Sequence, residues 1–443
     1  MFANFVYLVA LTLASPWIAY RIVRHGRYRR GISEKLFGIS KSKAKRICGG
    51  PGRSPIWIHA VSVGEVNLIV DLVAKLTRLD PTTPIVVSTS TDTGYDLAVQ
   101  RFGSDQVFFC PLDFSWAVRR TLRRLMPRKL ILVELELWPN LVRLSRQAGT
   151  EVLVINARLS ERSSAGYQRV SRLTRPIFAD LCGVACQDKS TAERFVACGA
   201  DPEVVTVTGA LKFDNAPDSR DTVEVQNRLN WASVDPWHRV WIVGSTQEGE
   251  EAMALRIYKR LVTAHPELRL ILVPRHRERF DSVAQLIQSN GLVCRRRSNR
   301  KLEATERLGS DGQWDANRVL LIDSIGELRH WWGVGQIATV GGSFVDRGGQ
   351  NMLEPAGYGS AVCFGPDTRN FKEIANRLIE AGGAKRTANE TELEAFVDRC
   401  LVDQPAADEL GRAAQSVIAQ HRGATDRTLQ FLAGQPLEFA RAA

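Results

Sequence analysis

Three stretches of the first half place a charged side chain just after an apolar, β-branched run, where a parallel α/β fold gathers its chemistry. In Ile58-His59-Ala60-Val61-Ser62-Val63-Gly64-Glu65 the run ends near Val61, and Gly64 permits a tight turn into an amphipathic stretch. Glu65 then lies at a helix N-terminus, where a carboxylate can act as a general base or simply complement the helix dipole. In Leu132-Val133-Glu134-Leu135-Glu136-Leu137-Trp138-Pro139-Asn140 two acids end a strand, and Pro139 suits a first helical turn. Glu134 and Glu136 point the same way if the strand continues, which is costly without a cation or ligand nearby. An arginine of Asn156-Ala157-Arg158-Leu159-Ser160-Glu161-Arg162 is the alternative partner. Lys212, in Gly209-Ala210-Leu211-Lys212-Phe213-Asp214, can offset charge on a leaving phosphate, although a lone lysine at a loop end is usually just solvated.

Four strand ends of the second half carry small or charged residues. They are Gly244-Ser245-Thr246 before the acidic Glu248-Gly249-Glu250-Glu251, Pro274-Arg275-His276, Asp323 to Leu328 with Gly326, and Gly341-Gly342-Ser343. The last is followed by Gly348-Gly349-Gln350-Asn351-Met352-Leu353-Glu354, whose glycine pair is expected to open a helix with N–H groups free for an anion. Together they suit a nucleotide pocket better than four coincidental turns. There is no G-x-x-x-x-G-K-[ST], no G-x-G-x-x-G after the first strand and no D-x-D. ATP hydrolysis, hydride transfer and a metal-chelated sugar diphosphate are therefore not favoured.

The elements that must position these residues alternate in type. Strand candidates begin at Ile56, Ile85, Val107, Leu130, Val152, Val184 and Val204, with helical periodicity between them, as in Ile69, Leu72, Val73 and Leu76. A polar segment from Asp214 to Asp221 reads as a linker, after which strands resume at Val240, Leu270, Leu320, Ile337 and Val362. Arg295 to Asn317 reads as a charged loop excursion. The fold class expected is α/β, with two Rossmann-like, doubly wound parallel-sheet lobes facing a cleft. The domains expected are 31–216 and 217–443, behind an N-terminal segment 1–30. Eight scattered cysteines show no zinc spacing and read as reduced core residues, with no structural metal or cofactor expected.

The net charge of +11 is local. Between Arg21 and Arg53 eleven Lys or Arg face the single acid Glu34, so this stretch carries +10 and the rest of the chain +1. A nucleic-acid binder would spread its charge over a face, so nucleic acid is not an expected partner. The cluster follows Phe2 to Tyr20, an uncharged run of 19 residues that would rise about 28 Å as a helix, near the thickness of a bilayer core. The expectation is a membrane-anchor helix or deep interfacial anchor, with everything after Tyr20 on the cytoplasmic side of the membrane; Asn4 and Ser15-Pro16 weaken the span, so a buried or interfacial hairpin is the alternative.

Taken in order, HAVSVGE, STSTDTGY, ELELWPNL, NARLSERSSAGY, GALKFD, GST-x-x-GEE, PRH-x-ERF, DSIGEL and GGS with GGQNMLEPA resemble the Kdo transferase family. The resemblance runs from the N-terminal segment to about Phe371. It implies inverting enzymes of GT-B architecture that transfer Kdo, an acidic eight-carbon sugar, from CMP-Kdo to a lipid A precursor during lipopolysaccharide biosynthesis. By the same resemblance Glu65 is the base, and Glu134 and Lys212 stabilise the transition state. Pro274 and Arg275, the turn Ile325, Gly326 and Glu327, and the segment Asn351, Met352, Leu353 and Glu354 hold CMP. Residues 31–216 form the acceptor side, and the implied partners are CMP-Kdo, lipid A precursor and inner-membrane lipids. The chain departs from the family pattern in having Leu135 between its two acids, and Gln247 and Gln350 where histidines are usual. Two alternatives remain open: a related transferase with another activated sugar or acceptor, and a non-catalytic two-lobed sensor.

Overall fold

The computed structural model describes residues 4, 7–9, 12, 13, 15, 16, 20, 24, 30–49, 53–299 and 315–434. The chain divides into two compact units, Met1–Asn215 with Arg422–Ala443, and Ala216–His421. A single division near 216 thus becomes two crossings, because the last residues return to the first unit.

Each unit is built on a seven-stranded sheet. The first holds β1 (Ile56–His59), β2 (Ile85–Thr89), β3 (Val107–Phe109), β4 (Lys129–Val133), β5 (Glu151–Ala157), β6 (Gly183–Cys186) and β7 (Val205–Val207), in the order β3-β2-β1-β4-β5-β6-β7. The second holds β8 (Arg239–Thr246), β9 (Leu268–Pro274), β10 (Val293–Arg296), β11 (Arg318–Leu321), β12 (Ile337–Val340), β13 (Ala361–Phe364) and β14 (Ala384–Arg386), in the order β10-β11-β9-β8-β12-β13-β14. Neighbouring strands run parallel, with Trp57 opposite both Val86 and Leu130.

Successive residues of these strands enter different cores. Ile56, Ile58, Val87, Ile131 and Val133 pack in one cluster, and Trp57, Val86, Leu130 and Leu132 in another. A sheet covered on both faces needs strands that are apolar throughout, which is why they stand out in the sequence. The exceptions are the edges of the second sheet. β10 and β14 carry charged residues, and Arg295 and Arg296, expected in a loop, are strand residues paired with Leu320 and Leu321.

The returning helix (Ala424–Leu432) is fastened to the first unit at several points. Asp214 accepts hydrogen bonds from the Gly423 and Thr425 N–H groups at 2.7 and 2.5 Å, and the Arg427 guanidinium donates to the Thr208 carbonyl at 2.8 Å. Leu429 and Leu432 complete the core that also holds Ile58 and Ile131. The start of the expected linker is therefore a capping site, as Asp214 satisfies N–H groups that a helix N-terminus leaves open. All eight cysteines are free.

Most of the expected anchor, Phe2 to Tyr20, lies outside the described residues. Among the described residues no helix is long and apolar enough to cross a membrane.

Candidate active site

In the first sheet the order reverses between β1 and β4, and the connections leaving these two strands carry Glu65 and Glu134. Such a reversal is where open α/β sheets receive ligands. Glu65 lies in the first turn of α1 (Val63–Leu79), whose N-cap is Ser62. The Ser62 hydroxyl accepts the Glu65 N–H at 3.4 Å and donates to Glu65 Oε1 at 3.0 Å, while the Val61 N–H donates to Oε2 at 2.8 Å. The helix-cap role is therefore real. It does not leave the carboxyl an ordinary acid: burial pushes it up to about 7, against the hydrogen bonds from Val61 and Ser62, and the charges of Glu134 and Glu136 push the same way as burial. A carboxylate titrating there is poised as a base at neutral pH.

Strand β4 ends at Val133, so Glu134 and Glu136 do not share a strand face as expected. Glu134 instead adopts a left-handed backbone, φ 64°, and its N–H bonds the Ile155 carbonyl at 3.0 Å. That conformation costs a non-glycine residue about 1–2 kcal/mol, the kind of strain that collects at functional sites. Burial raises the Glu134 carboxyl, and the positive charges of Arg158 and Lys212 oppose it. Glu136, also raised by burial, accepts a bond from Trp138 Nε1 at 2.8 Å. The first unit thus brings Glu65, Glu136, Arg158 and Lys212 within the field of Glu134.

Lys212 lies in the single 3-10 turn Leu211–Phe213, with its ammonium 5.6 Å from the Phe213 ring centroid. The turn is held by Asn156, a buried residue also in left-handed conformation, whose Oδ1 accepts the Leu211 N–H at 3.1 Å. In the sequence Asn156 shows only an amide at the end of an apolar run.

In the second unit the order reverses between β8 and β12. The two connections there are tied by Glu250, at the start of α2 (Glu250–Leu261), which is only 2% exposed. Its carboxylate accepts the N–H groups of Gln247, Gly342, Ser343 and Phe344 at 2.7–3.1 Å. Glu251, fully buried, takes a two-pronged ion pair from Arg279 at 2.7 and 2.9 Å. These acids are internal fasteners.

Pro274 ends β9, and the Arg275 N–H bonds the Thr246 carbonyl at 3.0 Å, leaving its side chain exposed. Ile325 is 67% exposed beside Gly326, whose φ of 88° requires glycine. Burial alone would raise the Glu327 carboxyl, but bonds from Arg297 at 2.9 Å and Trp331 Nε1 at 3.2 Å hold it below its ordinary value.

The glycine pair does not open a helix. Gly348 and Gly349, φ 77° and 75°, form a left-handed turn bonded to Asp367 and the Gly342 carbonyl, and the helix that follows is only Leu353–Gly357. Its Leu353 N–H is taken by Asn351 Oδ1 at 3.1 Å. Two adjacent residues in the left-handed region turn the chain instead of winding it, so the expected anion site is withdrawn. Met352 and Leu353 are buried side chains. Burial raises Glu354, while Arg329, Asn351, Trp332 and Arg275 pull it back, which places Arg275 and the Asn351–Glu354 segment in one neighbourhood.

Two parallel-sheet α/β lobes, one carrying an acid–base cluster and the other a basic, glycine-turned set of loops, define a protein of the GT-B-like kind. A UDP-GlcNAc 2-epimerase from Neisseria meningitidis bound to UDP-GlcNAc shares the fold alone, with a TM-score of 0.57 over 86% of this chain and 100% of that one at 11% identity. The family model for 3-deoxy-D-manno-octulosonic-acid transferase (kdotransferase) matches residues 24–215. Proteins named 3-deoxy-D-manno-octulosonic acid transferase from Haemophilus influenzae and Bordetella pertussis are 33% and 34% identical over 437 and 438 residues. These matches cover 97% and 96% of this chain and 98% of each relative. The chain belongs to the Kdo transferase family.

Proposed function

We propose that this protein transfers Kdo from CMP-Kdo to a lipid A precursor, with inversion, in lipopolysaccharide biosynthesis. The observation that carries the reading is the Glu65 carboxyl, titrating near 7 beside Glu134 and in a member of this family. Glu65 takes the proton of the acceptor hydroxyl as that oxygen bonds to the anomeric carbon of Kdo. The bond from this carbon to the CMP phosphate oxygen breaks, and CMP leaves with the electron pair. Glu134 offsets positive character on the sugar, and Lys212 the negative charge gathering on the leaving group. Arg275 meets the single phosphate, and the Ile325–Glu327 turn with Asn351 and Glu354 holds the rest of CMP.

One phosphate met by arginine needs no metal, and among the described residues no group of three His, Cys, Asp or Glu is placed to hold one. The basic stretch after Tyr20 supports attachment to the cytoplasmic face of the inner membrane, where a lipid acceptor is found. The test is purified protein with CMP-Kdo and a tetraacylated lipid A precursor, with EDTA present, and products read by mass spectrometry. Addition of Kdo mass is the expected result. No product with this donor, or transfer only when magnesium is restored, would overturn the corresponding part of the reading.

A further inference from the structure

The acidic turn between Glu134 and Trp138 feeds directly into α4 (Pro139–Gln147), which does not cap itself. Its neighbour is α3 (Ser115–Leu125); their N-cap residues, Trp138 and Phe114, make no side-chain cap bond. An uncapped helix start leaves N–H groups open that another part of the chain must satisfy. For α4 the partner is Asp113, which accepts the Asn140 N–H at 2.9 Å and the Leu141 N–H at 2.7 Å. For α3 it is Asn4, from the far N-terminal segment, whose Oδ1 accepts the Ser115 N–H at 3.0 Å and whose amide donates to the Ser115 hydroxyl at 2.7 Å.

The same N-terminal segment ties the two caps together. The Asn140 amide donates to Asn4 Oδ1 at 3.1 Å, and the Tyr7 hydroxyl donates to Asp113 at 2.9 Å. The Tyr7 ring meets Phe114 edge-on, centroids 6.2 Å apart. At the other end of the turn, Trp138 bonds Glu136 through both its main-chain N–H and its indole. Any drift of the α4 start is thereby passed to Glu136 and to the left-handed Glu134.

We propose that Asn4 and Tyr7 are positioning residues for the acidic turn, acting through Asp113 and Asn140. The N-terminal segment is then a brace of the acceptor-side unit as well as a hydrophobic appendage. The two faces of the segment divide the work: Asn4 and Tyr7 turn to the unit, while Leu13 is 78% exposed.

The inference rests on the transferase reading, so its test includes a readout that needs no transfer. Tyr7→Phe keeps the ring and removes the hydroxyl; Asn4→Ala removes the α3 cap. In full-length protein in detergent, amide hydrogen exchange at Leu141 and Val142 should quicken about fivefold in the double variant, the factor lost with a typical helix cap. Transfer should lose a similar factor in kcat or acceptor KM, with CMP affinity unchanged. Leu13→Gln should weaken binding to anionic vesicles and leave exchange and detergent-phase transfer alone. Exchange in the double variant equal to that of the unaltered protein, or the same losses in Leu13→Gln, would overturn the brace. Absence of transfer in the unaltered protein would instead count against the transferase reading and leave the exchange result standing.

Discussion

Replacing Glu65 by Gln separates a base from a cap, because the two roles respond oppositely. Glutamine keeps one acceptor oxygen, for the Val61 N–H, and its amide can donate to the Ser62 hydroxyl, so the α1 start survives. The carboxyl titrates near 7 in the fold and near 4.5 in the unfolded chain. Between those values the unfolded state has released its proton and the native state still holds it, so stability falls as pH rises through the interval. At about 1.4 kcal/mol for each pH unit crossed, the full penalty is roughly 3 kcal/mol. The side chain keeps part of its solvent contact, and about 1–2 kcal/mol is the discounted figure. Glu65→Gln should therefore unfold in urea like the unaltered protein at pH 4.5 and be more stable by that amount at pH 8. Single-turnover transfer should drop by about 10² to 10⁴, the range for loss of a general base. In the unaltered enzyme transfer should rise with pH and level off above about 7. Parallel stability profiles combined with near-normal transfer would refute both the titration and the role, and would move the base to Glu134 or Glu136.

Arg275→Ala should weaken CMP binding roughly tenfold to a hundredfold, as loss of a charged hydrogen bond does, with calorimetry as the measurement. Glu250→Ala leaves four main-chain N–H groups without their acceptor and should cost about 3–5 kcal/mol in urea unfolding; an unchanged midpoint would contradict its fastening role. Gln350 packs so close to Gly342 that a Cβ there would stand 3.3 Å from its side chain. Gln350→His should leave the melting temperature nearly unchanged and shift the donor KM or the pH profile, and if neither moves, the glutamine has no part in donor handling.

The strands of both sheets were legible because burial on two faces demands unbroken apolar runs, as in residues 130–133 and 270–273. Where that demand lapses, the signal lapses with it. β10 and β14 are edge strands with the sequences VCRR and AKR, and only their pairing with a neighbour reveals them. Local physics brought Glu65, Glu134 and Lys212 to strand ends and no further; their roles came from the ordered motifs. The left-handed conformations of Glu134 and Asn156 had no sequence signal, since neither residue type announces a positive φ as glycine does. Gly348 and Gly349 did announce it, yet a glycine pair before an apolar helical run reads equally well as a helix entrance. Asp113 and Glu250 were invisible as fasteners because the N–H groups they satisfy lie far along the chain from them.

The return of residues 424–432 to the first unit sets an order of events during synthesis. The second unit is continuous, Ala216–His421, and can close as soon as its own chain has left the ribosome. The first unit, although begun first, lacks Leu429 and Leu432 from its core and the partner of Asp214 until residues 423–432 have been made. The amino-terminal half must then wait, with apolar surface open beside β1 and β4, for residues 424–432 to arrive. A chain stalled or clipped before Ala424 should therefore fail first in the first unit, although the cut lies beyond the second.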